Sequence, residues 1–267
     1  MKINLMKMPF IKKYGEMKGV NKYREMNDGR LRKGLVVLQR EGFIVFFYRT
    51  GHYLKRLFLR QISPIVIKYG PKGYFMFQNK RLPYFLHTKS LTWTNERAIE
   101  VPIAHSYISE DKRILEVGAV LYHYYPDLKK DVLDKFEKGQ GIINEDVIVY
   151  QPTLKYDLII SISTLEHVGY DDDVKDQEGT LKAIQNLKTN CLNKNGQMII
   201  TLPISYNKDV DKMLFAGKLE FDEEYYFKKT NLFNQWREIT REEAKTAQYK
   251  HHAETIVVGI IRSGRDN

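Results

Sequence analysis

The sequence predicts an α/β fold: a doubly wound, mostly parallel β-sheet with helices on both faces, preceded by a basic helical extension. Apolar runs typical of buried strands recur between residues 112 and 261, and helix-like segments separate several of them. Such alternation favours parallel strands joined by crossover helices. The extension is predicted by charge, because the first 90 residues carry 20 Lys and Arg against 4 Asp and Glu, whereas the rest carry 23 against 29.

The composition excludes several classes of site. A chain of 267 residues with 43% hydrophobic and 28% charged residues can bury a full core. The one cysteine, Cys191, excludes an intramolecular disulfide framework and argues against a zinc site built on cysteines. The acidic run 171–173 lacks the ligand spacing of a calcium loop, so no metal site is predicted.

No membrane span or export signal is expected either. The apolar run 43–48 is followed at once by Arg49 and is too short to cross a bilayer. Lysines interrupt the N-terminal residues where a signal peptide needs an apolar block. The predicted location is the cytoplasm, with the inner face of the membrane as a specific possibility.

The extension is assigned to residues 1–92 and the main domain to residues 93–267. Residues 1–30 have weak periodicity and are predicted to be loosely docked. Residues 31–62 place apolar side chains at three- and four-residue steps among Arg and Lys, which indicates one or two basic amphipathic helices, broken near Gly42 or Gly51. Such helices lie in a membrane interface or pack on the body of the protein. Residues 64–92, rich in Pro, Gly and aromatics, suit a loop or short strands.

The elements of the main domain follow in order. A helix is predicted to begin with Thr94 as its N-cap and to end at or before Pro102, since proline disfavours the helical conformation of the residue before it. Strands are then predicted at 112–118, 131–134, 147–149, 157–163 and 197–203, with helices around 124–130 and 176–190. A strand at 225–227, a helix at 241–248 and a strand at 255–261 complete the domain.

Polar residues follow these strands at the edge where open α/β sheets bind their ligands. Glu116 and Gly118 end the run Ile-Leu-Glu-Val-Gly, Asp134 ends the next strand, and Asp146 and Val147 follow in Asn-Glu-Asp-Val. The run beginning at Tyr156 leads through Ser163 into Thr-Leu-Glu-His. The loop after the strand at 197–203 carries Tyr206 and Asn207.

This pattern resembles the class I S-adenosylmethionine-dependent methyltransferases over residues 94–262, and the resemblance implies a Rossmann-like, seven-stranded sheet. It also implies that the turn at Gly118 approaches the methionine part of the cofactor, with Glu116 near its amino group. Asp134 would bind the ribose hydroxyls, with Glu137 as the alternative, and Asp146 and Val147 would adjoin the adenine. The family usually has two further glycines after Gly118, where this chain has Val120 and Tyr122.

The segment 156–168 resembles the fourth strand and the following loop of small-molecule and glycan-type members. In those members, the loop passes under the sulfonium of the cofactor. Ser163 is thereby assigned to cofactor binding. His167 is a candidate general base because its unperturbed pKa lies near physiological pH. Glu166, next to His167 in the sequence, is a second candidate catalytic residue. Tyr206 could orient an acceptor hydroxyl. The alternative is that Glu166 and His167 begin a helix and fix its position.

Three functional hypotheses follow from the sequence. The first is an enzyme that transfers the methyl group of S-adenosylmethionine to an oxygen or nitrogen acceptor on a cell-envelope glycan or other small saccharide, in peripheral contact with an anionic membrane. The second is an RNA methyltransferase that uses the basic N-terminal third to bind phosphates. The third, prompted by Val120 and Tyr122, is a binding protein that keeps the fold without the activity.

Overall fold

The structure is a computed structural model, and it describes residues 43–70, 72–249 and 252–264. The helices it describes are α1 (Phe43–Tyr69), α2 (Arg97–His105), α3 (Val120–Tyr124), α4 (Gly179–Asn186), α5 (Lys208–Phe215) and α6 (Arg241–Lys245). Short 3-10 turns cover Lys89–Thr94 and Leu165–His167, and a π-helical turn at Leu187–Cys191 extends α4. The strands are β1 (Tyr74–Phe77), β2 (Lys80–Pro83), β3 (Ile114–Val117), β4 (Asp131–Leu133), β5 (Ile142–Ile143), β6 (Tyr156–Ile162), β7 (Leu192–Pro203), β8 (Glu223–Lys229), β9 (Trp236–Ile239) and β10 (Thr255–Arg262).

The central sheet has the order β5-β4-β3-β6-β7-β10-β8-β9. Strands β5, β4, β3, β6 and β7 pair in parallel, whereas β10 is antiparallel to both β7 and β8, and β9 is antiparallel to β8. The chain runs outward from β3 to β5 and then returns to place β6 on the other side of β3. The mostly parallel α/β sheet is therefore confirmed, with eight strands where seven were expected.

Apolar cores on both faces of the sheet explain why its central strands are apolar throughout. Neighbouring residues of one strand enter opposite cores: Ile159 packs in one cluster, while Leu158 and Ile160 pack in the other. Strand geometry requires this alternation, because successive side chains point to opposite faces. A strand covered on both faces therefore reads as a continuous apolar run.

Helix α2 continues through Pro102 to His105, so the expected end at Pro102 was wrong. Proline has no N–H to donate to the carbonyl four residues earlier, which is that of Ala98. The backbone N–H of Phe85 donates to the Ala98 carbonyl instead, at 2.9 Å. A tertiary hydrogen bond thus replaces the helical one.

Two further expectations need correction. The third strand of the parallel run is β5, because residues 146–150 form a turn in which Val149 and Tyr150 donate to the Asp146 carbonyl. Helix α1 is continuous across Gly51, so no break occurs there. The predictions for residues 1–42, including the possible break at Gly42, lie outside the described residues.

The β1–β2 hairpin packs in one of the two cores. Phe75 and Phe77 are buried, and their rings lie 6.0 and 6.2 Å from that of Phe227 on β8. The chain divides into two units between Ile62 and Ser63. Residues 63–92, counted with the extension in the sequence analysis, thus belong to the unit that contains the sheet.

Helix α1 exposes both apolar and basic side chains. The exposed apolar ones are Tyr53, Leu54, Phe58, Ile65 and Tyr69, and the exposed basic ones are Lys55, Arg56, Arg60 and Lys68. Among the described residues, no helix combines the length and apolarity that a membrane crossing needs.

Candidate functional site

The candidate site lies at the carboxyl edge of the parallel strands, where the strand order reverses between β3 and β6. Loops after adjacent strands diverge at such a reversal, so it is where open α/β sheets bind ligands. The turn at Gly118 follows β3, Asp134 follows β4, and the loop from Ser163 to Asp171, called the 163–171 loop below, follows β6. The sheet therefore brings these sequence-predicted positions to one edge.

The turn after β3 is held from within the protein. Glu116 is 1% exposed, and its carboxylate accepts hydrogen bonds from the backbone N–H groups of Leu121 and Tyr122 at the start of α3. Lys130 lies 3.9 Å away, yet burial raises the pKa of Glu116 to about 7. Glu116 thus fixes the start of α3, the segment that contains Val120 and Tyr122.

Gly118 is required by both its conformation and its neighbour. Its φ is +86°, and a Cβ there would lie 2.1 Å from Oγ1 of Thr164 in the 163–171 loop. Its N–H donates to the Leu133 carbonyl at 2.9 Å. The glycine therefore lets the loops after β3 and β6 touch.

Asp134 is partly buried, and its Oδ1 accepts from the backbone N–H groups of Phe136 and Glu137, at 2.9 and 2.7 Å. Both bonds use Oδ1, and Oδ2 takes no part in them. Glu137 itself is exposed and lies 3.6 Å from His123.

Asp146 and Val147 lie in the turn that follows β5. Asp146 accepts from Lys135 Nζ at 2.8 Å and from the N–H of Ile148 at 3.0 Å. Burial opposes its charge, but these bonds outweigh it and lower the pKa of Asp146. Val147 is 8% exposed and belongs to the core, so of the two only Asp146 offers a polar group.

Ser163 lies in a hydrogen-bond network that sequence reasoning missed. Its Oγ donates to Glu100 Oε1 at 2.5 Å, and its N–H donates to the Thr201 carbonyl at 3.0 Å. Thr201 Oγ1 also donates to Glu100 Oε1, at 2.8 Å, and Arg97 lies 2.5 Å from the other Glu100 oxygen. A signal was present in the sequence, because Glu100 interrupts the apolar segment 98–104 of a predicted helix.

The three residues predicted to be catalytic are brought together. The hydroxyl of Tyr206 lies 3.1 Å from His167 Nδ1 and donates a hydrogen bond to Asp171 Oδ2 at 2.7 Å. His167 Nδ1 is 2.5 Å from the same carboxylate oxygen, and its Nε2 is 3.5 Å from Glu166 Oε1. Asp171, the first residue of the acidic run 171–173, thus joins these three side chains.

The surrounding charges favour a protonated His167. Burial opposes its charge, but the hydrogen bond to Asp171 and the charge of Glu166 outweigh it and raise the pKa of His167. The neutral form, which a general base needs, is therefore disfavoured. His167 is better suited to holding a positive charge between its two carboxylate neighbours.

Glu166 has the properties of a base. It is 2% exposed, burial raises its pKa to about 7, and its Oε2 has no hydrogen-bond partner in the described part of the chain. Its backbone carbonyl accepts from Asn207 Nδ2 at 2.9 Å, which holds the residue in place. A carboxylate with a pKa near neutral pH and an unused oxygen matches the requirement for proton transfer.

No protein-family model and no curated protein matches this sequence. Solved structures with similar backbones include the N-methyltransferase NodS from Bradyrhizobium japonicum WM9 in complex with S-adenosyl-L-homocysteine. The likeness has a TM-score of 0.41 and 12% identity, over 62% of this chain and 84% of NodS. A possible histamine N-methyltransferase from Thermotoga maritima has a TM-score of 0.38 and 15% identity, over 60% of this chain and 87% of its own. An rRNA methylase from Escherichia coli has a TM-score of 0.37 and 18% identity, over 66% of each chain.

Proposed function

We propose that the protein is an S-adenosylmethionine-dependent methyltransferase that acts on an oxygen or nitrogen acceptor. One observation carries the proposal. The sheet places the Gly118 turn, Asp134 and the 163–171 loop at the edge where the strand order reverses, and that loop carries Glu166, whose Oε2 has no hydrogen-bond partner among the described residues. A nucleoside cofactor and an acceptor would meet at such an edge.

The residues present fit the cofactor. Asp134 has an oxygen free of the turn bonds and suits the ribose hydroxyls. Each Asp146 oxygen accepts one hydrogen bond, from Lys135 or Ile148, and keeps a lone pair for the adenine amine. Asp171, whose pKa is lowered by its hydrogen bonds to His167 and Tyr206, supplies negative charge for a cofactor that carries a sulfonium cation. Glu116 acts indirectly. Its carboxylate accepts a hydrogen bond from the N–H of Tyr122 and so holds the backbone that follows Gly118 in place.

The cofactor would supply an electrophilic methyl group, and the chain would supply alignment and a proton acceptor. Methyl transfer is an in-line displacement, so positioning of donor and acceptor provides most of the acceleration. Glu166 takes the acceptor proton, while Tyr206, held by Asp171 at 2.7 Å, orients the acceptor. Protonated His167 lies beside Glu166 and stabilises the negative charge of its carboxylate.

The proposed acceptor is a cell-envelope glycan or another small saccharide-type molecule, methylated in the cytoplasm at the inner face of the membrane. The exposed apolar and basic side chains of α1 support a peripheral membrane contact, since basic amphipathic helices bind anionic interfaces. The resemblance of the segment 156–168 to small-molecule and glycan-type members of the family supports the acceptor class.

Calorimetric titration with S-adenosylmethionine and a methyl-transfer assay test the proposal together. Binding of the cofactor, followed by transfer of labelled methyl groups to membrane-extracted saccharides, is the expected result. Labelling confined to RNA would indicate that the acceptor is a nucleic acid and not a saccharide. Absence of cofactor binding would identify a non-catalytic binding protein.

A further inference from the structure

The loop between β8 and β9, residues 230–235, presents two large apolar side chains to solvent and is called the β8–β9 loop below. Leu232 is 97% exposed and Phe233 is 85% exposed, the highest values among the large apolar residues in the described part of the chain. Apolar side chains exposed singly are ordinary on protein surfaces, whereas large ones exposed side by side mark a surface that meets a partner. The pair therefore calls for an occupant.

The β8–β9 loop is held in shape by its own hydrogen bonds. The side-chain oxygen of Asn231 accepts from the backbone N–H groups of Phe233 and Gln235, at 3.0 and 3.3 Å, and its Nδ2 donates to Gln235 Oε1 at 2.6 Å. The N–H of Thr230 donates to the Gln235 carbonyl at 2.8 Å and closes the base of the loop. The exposed pair thus belongs to a structured turn.

Two side chains join the β8–β9 loop to the turn that precedes α2. Asn234 is buried, and its Nδ2 donates to the Asn95 carbonyl at 2.8 Å while its Oδ1 accepts from Trp236 Nε1 at 3.1 Å. Lys229, the last residue of β8, donates to the Thr94 carbonyl at 3.0 Å. The loop therefore lies against that turn.

The end of α1 adjoins the same turn. Ser63 is buried, and its Oγ accepts from Trp93 Nε1 at 2.9 Å. The last turns of α1 expose Ile65 and Tyr69, by 62 and 74%, together with Lys68. Hydrogen bonds thus connect the apolar side chains of the helix end and of the β8–β9 loop through one turn.

The charges around these apolar side chains are mostly of one sign. Residues 63–94 contain five Lys and Arg and no Asp or Glu, and residues 228–237 contain three and none. Glu243 pairs with both Lys228 and Arg237, so one negative charge faces two positive ones. The basic side chains of the first segment are all exposed, and they are Lys68, Lys72, Lys80, Arg81 and Lys89. Exposed apolar side chains among basic ones fit an anionic lipid surface, because its headgroups attract the charges and its interface takes up the apolar groups.

The sheet places the β8–β9 loop at the edge of the candidate site. Strand β10 is antiparallel to both β7 and β8, so β8 runs parallel to β7 and ends at the same edge. Three strand spacings, roughly 15 Å, separate β8 from β6, which leads into the 163–171 loop. A surface that contacts the β8–β9 loop therefore lies beside the site.

We propose that Leu232 and Phe233 insert into the interface of an anionic membrane, with the end of α1 beside them, and hold the candidate site next to the lipid surface. This inference rests on the proposed function, and it names the surface that the acceptor side of the site faces. Stable attachment to a membrane takes two signals, so the β8–β9 loop orients a protein that the rest of α1 helps to attach. An acceptor at a lipid headgroup then reaches the site from the membrane.

A fluorescent label on the β8–β9 loop tests the proposal. The chain has one cysteine, Cys191, which is buried, and burial raises the pKa of its thiol to about 11. Since the thiolate is the reactive form, a cysteine introduced by Leu232→Cys is labelled selectively with a nitrobenzoxadiazole reagent. With vesicles of phosphatidylglycerol and phosphatidylcholine, its emission should shift to the blue and be quenched by brominated lipid tails. Vesicles of phosphatidylcholine alone should produce neither effect.

Leu154 supplies the matched control position. It is 66% exposed and precedes β6, at the opposite edge of the sheet, so a label introduced by Leu154→Cys should stay in water. Leu232→Ser combined with Phe233→Ser should lower the affinity of the full chain for the anionic vesicles about tenfold, because two apolar side chains no longer leave water. Leu154→Ser should leave that affinity unchanged.

The outcomes separate this inference from the proposed function. A label on the β8–β9 loop that stays in water, or that responds no more than the label at the opposite edge, would overturn the inference even in a protein that binds S-adenosylmethionine. A label shielded without vesicles, in proportion to protein concentration, would overturn it in favour of a second copy of the chain. Insertion of the loop by a protein that binds no S-adenosylmethionine would overturn the proposed function and support the lipid contact.

Discussion

The hydroxyl of Ser163 donates a 2.5 Å hydrogen bond to the buried carboxylate of Glu100, 63 residues earlier in the chain. Ser163 has a φ of +38° at the point where β6 enters the 163–171 loop. Such a backbone conformation persists in a non-glycine residue only when its surroundings hold it. Glu100 and Thr201 provide that support and thereby set the path of the loop that carries Glu166 and His167.

Replacement of Ser163 by alanine should lower the free energy of unfolding by about 1–3 kcal/mol, because it removes a hydrogen bond to a buried charge. Chemical denaturation would measure the change. Ser161→Ala is the control: Ser161 is also buried, two residues earlier on β6, but its hydroxyl has no hydrogen-bond partner among the described residues. Equal losses in the two variants would show that the Glu100 contact contributes nothing specific.

Replacement of Glu166 by glutamine should stabilise the protein at pH 8 by about 1–3 kcal/mol and have little effect at pH 4. The folded pKa of Glu166 is raised to about 7, above its ordinary value. The contribution of Glu166 to the free energy of unfolding is therefore most favourable at low pH and is lost as pH rises towards 7, whereas glutamine has no charge to acquire. Thermal unfolding between pH 4 and pH 8 would test this, with Glu242→Gln as the exposed control. A stability difference independent of pH would contradict the assignment.

Replacement of Asp134 by alanine should weaken S-adenosylmethionine binding roughly tenfold to a hundredfold, through the loss of charged hydrogen bonds to ribose. Asp134→Asn should give an intermediate loss, because its side-chain oxygen can still accept from Phe136 and Glu137 and keep the turn. Calorimetry on both variants separates the two roles. Unchanged affinity in both would move the ribose ligand to Glu137.

A fragment of residues 63–267 should fold, whereas a fragment that begins at residue 94 should not. The shorter fragment lacks Phe75 and Phe77, which are buried against Phe227. Loss of a buried Phe side chain costs about 3–5 kcal/mol, so two exceed what a marginally stable domain tolerates. Circular dichroism would measure the folding of both fragments. Met76→Ala, at an exposed side chain of β1, and Phe77→Ala, at a buried one, are the controls in the full-length chain. Cooperative unfolding of the fragment from residue 94 would contradict this.

The full chain should associate with anionic vesicles, and the fragment of residues 63–267 should not. It lacks the exposed pairs of apolar and basic side chains on α1, including Leu54, Phe58, Lys55 and Arg56. Basic residues near an anionic surface contribute about 1 kcal/mol each. Co-sedimentation with vesicles of anionic and of neutral lipid would measure it. Equal binding of the fragment and the full chain would place the membrane contact elsewhere or remove it.

The sequence by itself determined most of the sheet. Strands β3, β6 and β10 were predicted within a few residues, because strands buried on both faces must be apolar at successive positions. It also determined that polar groups such as Asp134 and His167 follow the ends of strands. Because the strands are parallel, their carboxyl ends lie at the same edge of the sheet, and these groups lie there together. These properties depend on residues close together in the chain.

Only the tertiary structure decided which of those groups act together. Helix α2 passes Pro102 because Phe85, from outside the helix, takes the carbonyl that proline leaves. Glu100 reaches Ser163 and Thr201 across 63 and 101 positions, and Glu166 acquires its raised pKa from burial by elements distant in sequence. Hydrogen bonding and desolvation depend on distance in space, which composition and periodicity along the chain do not encode.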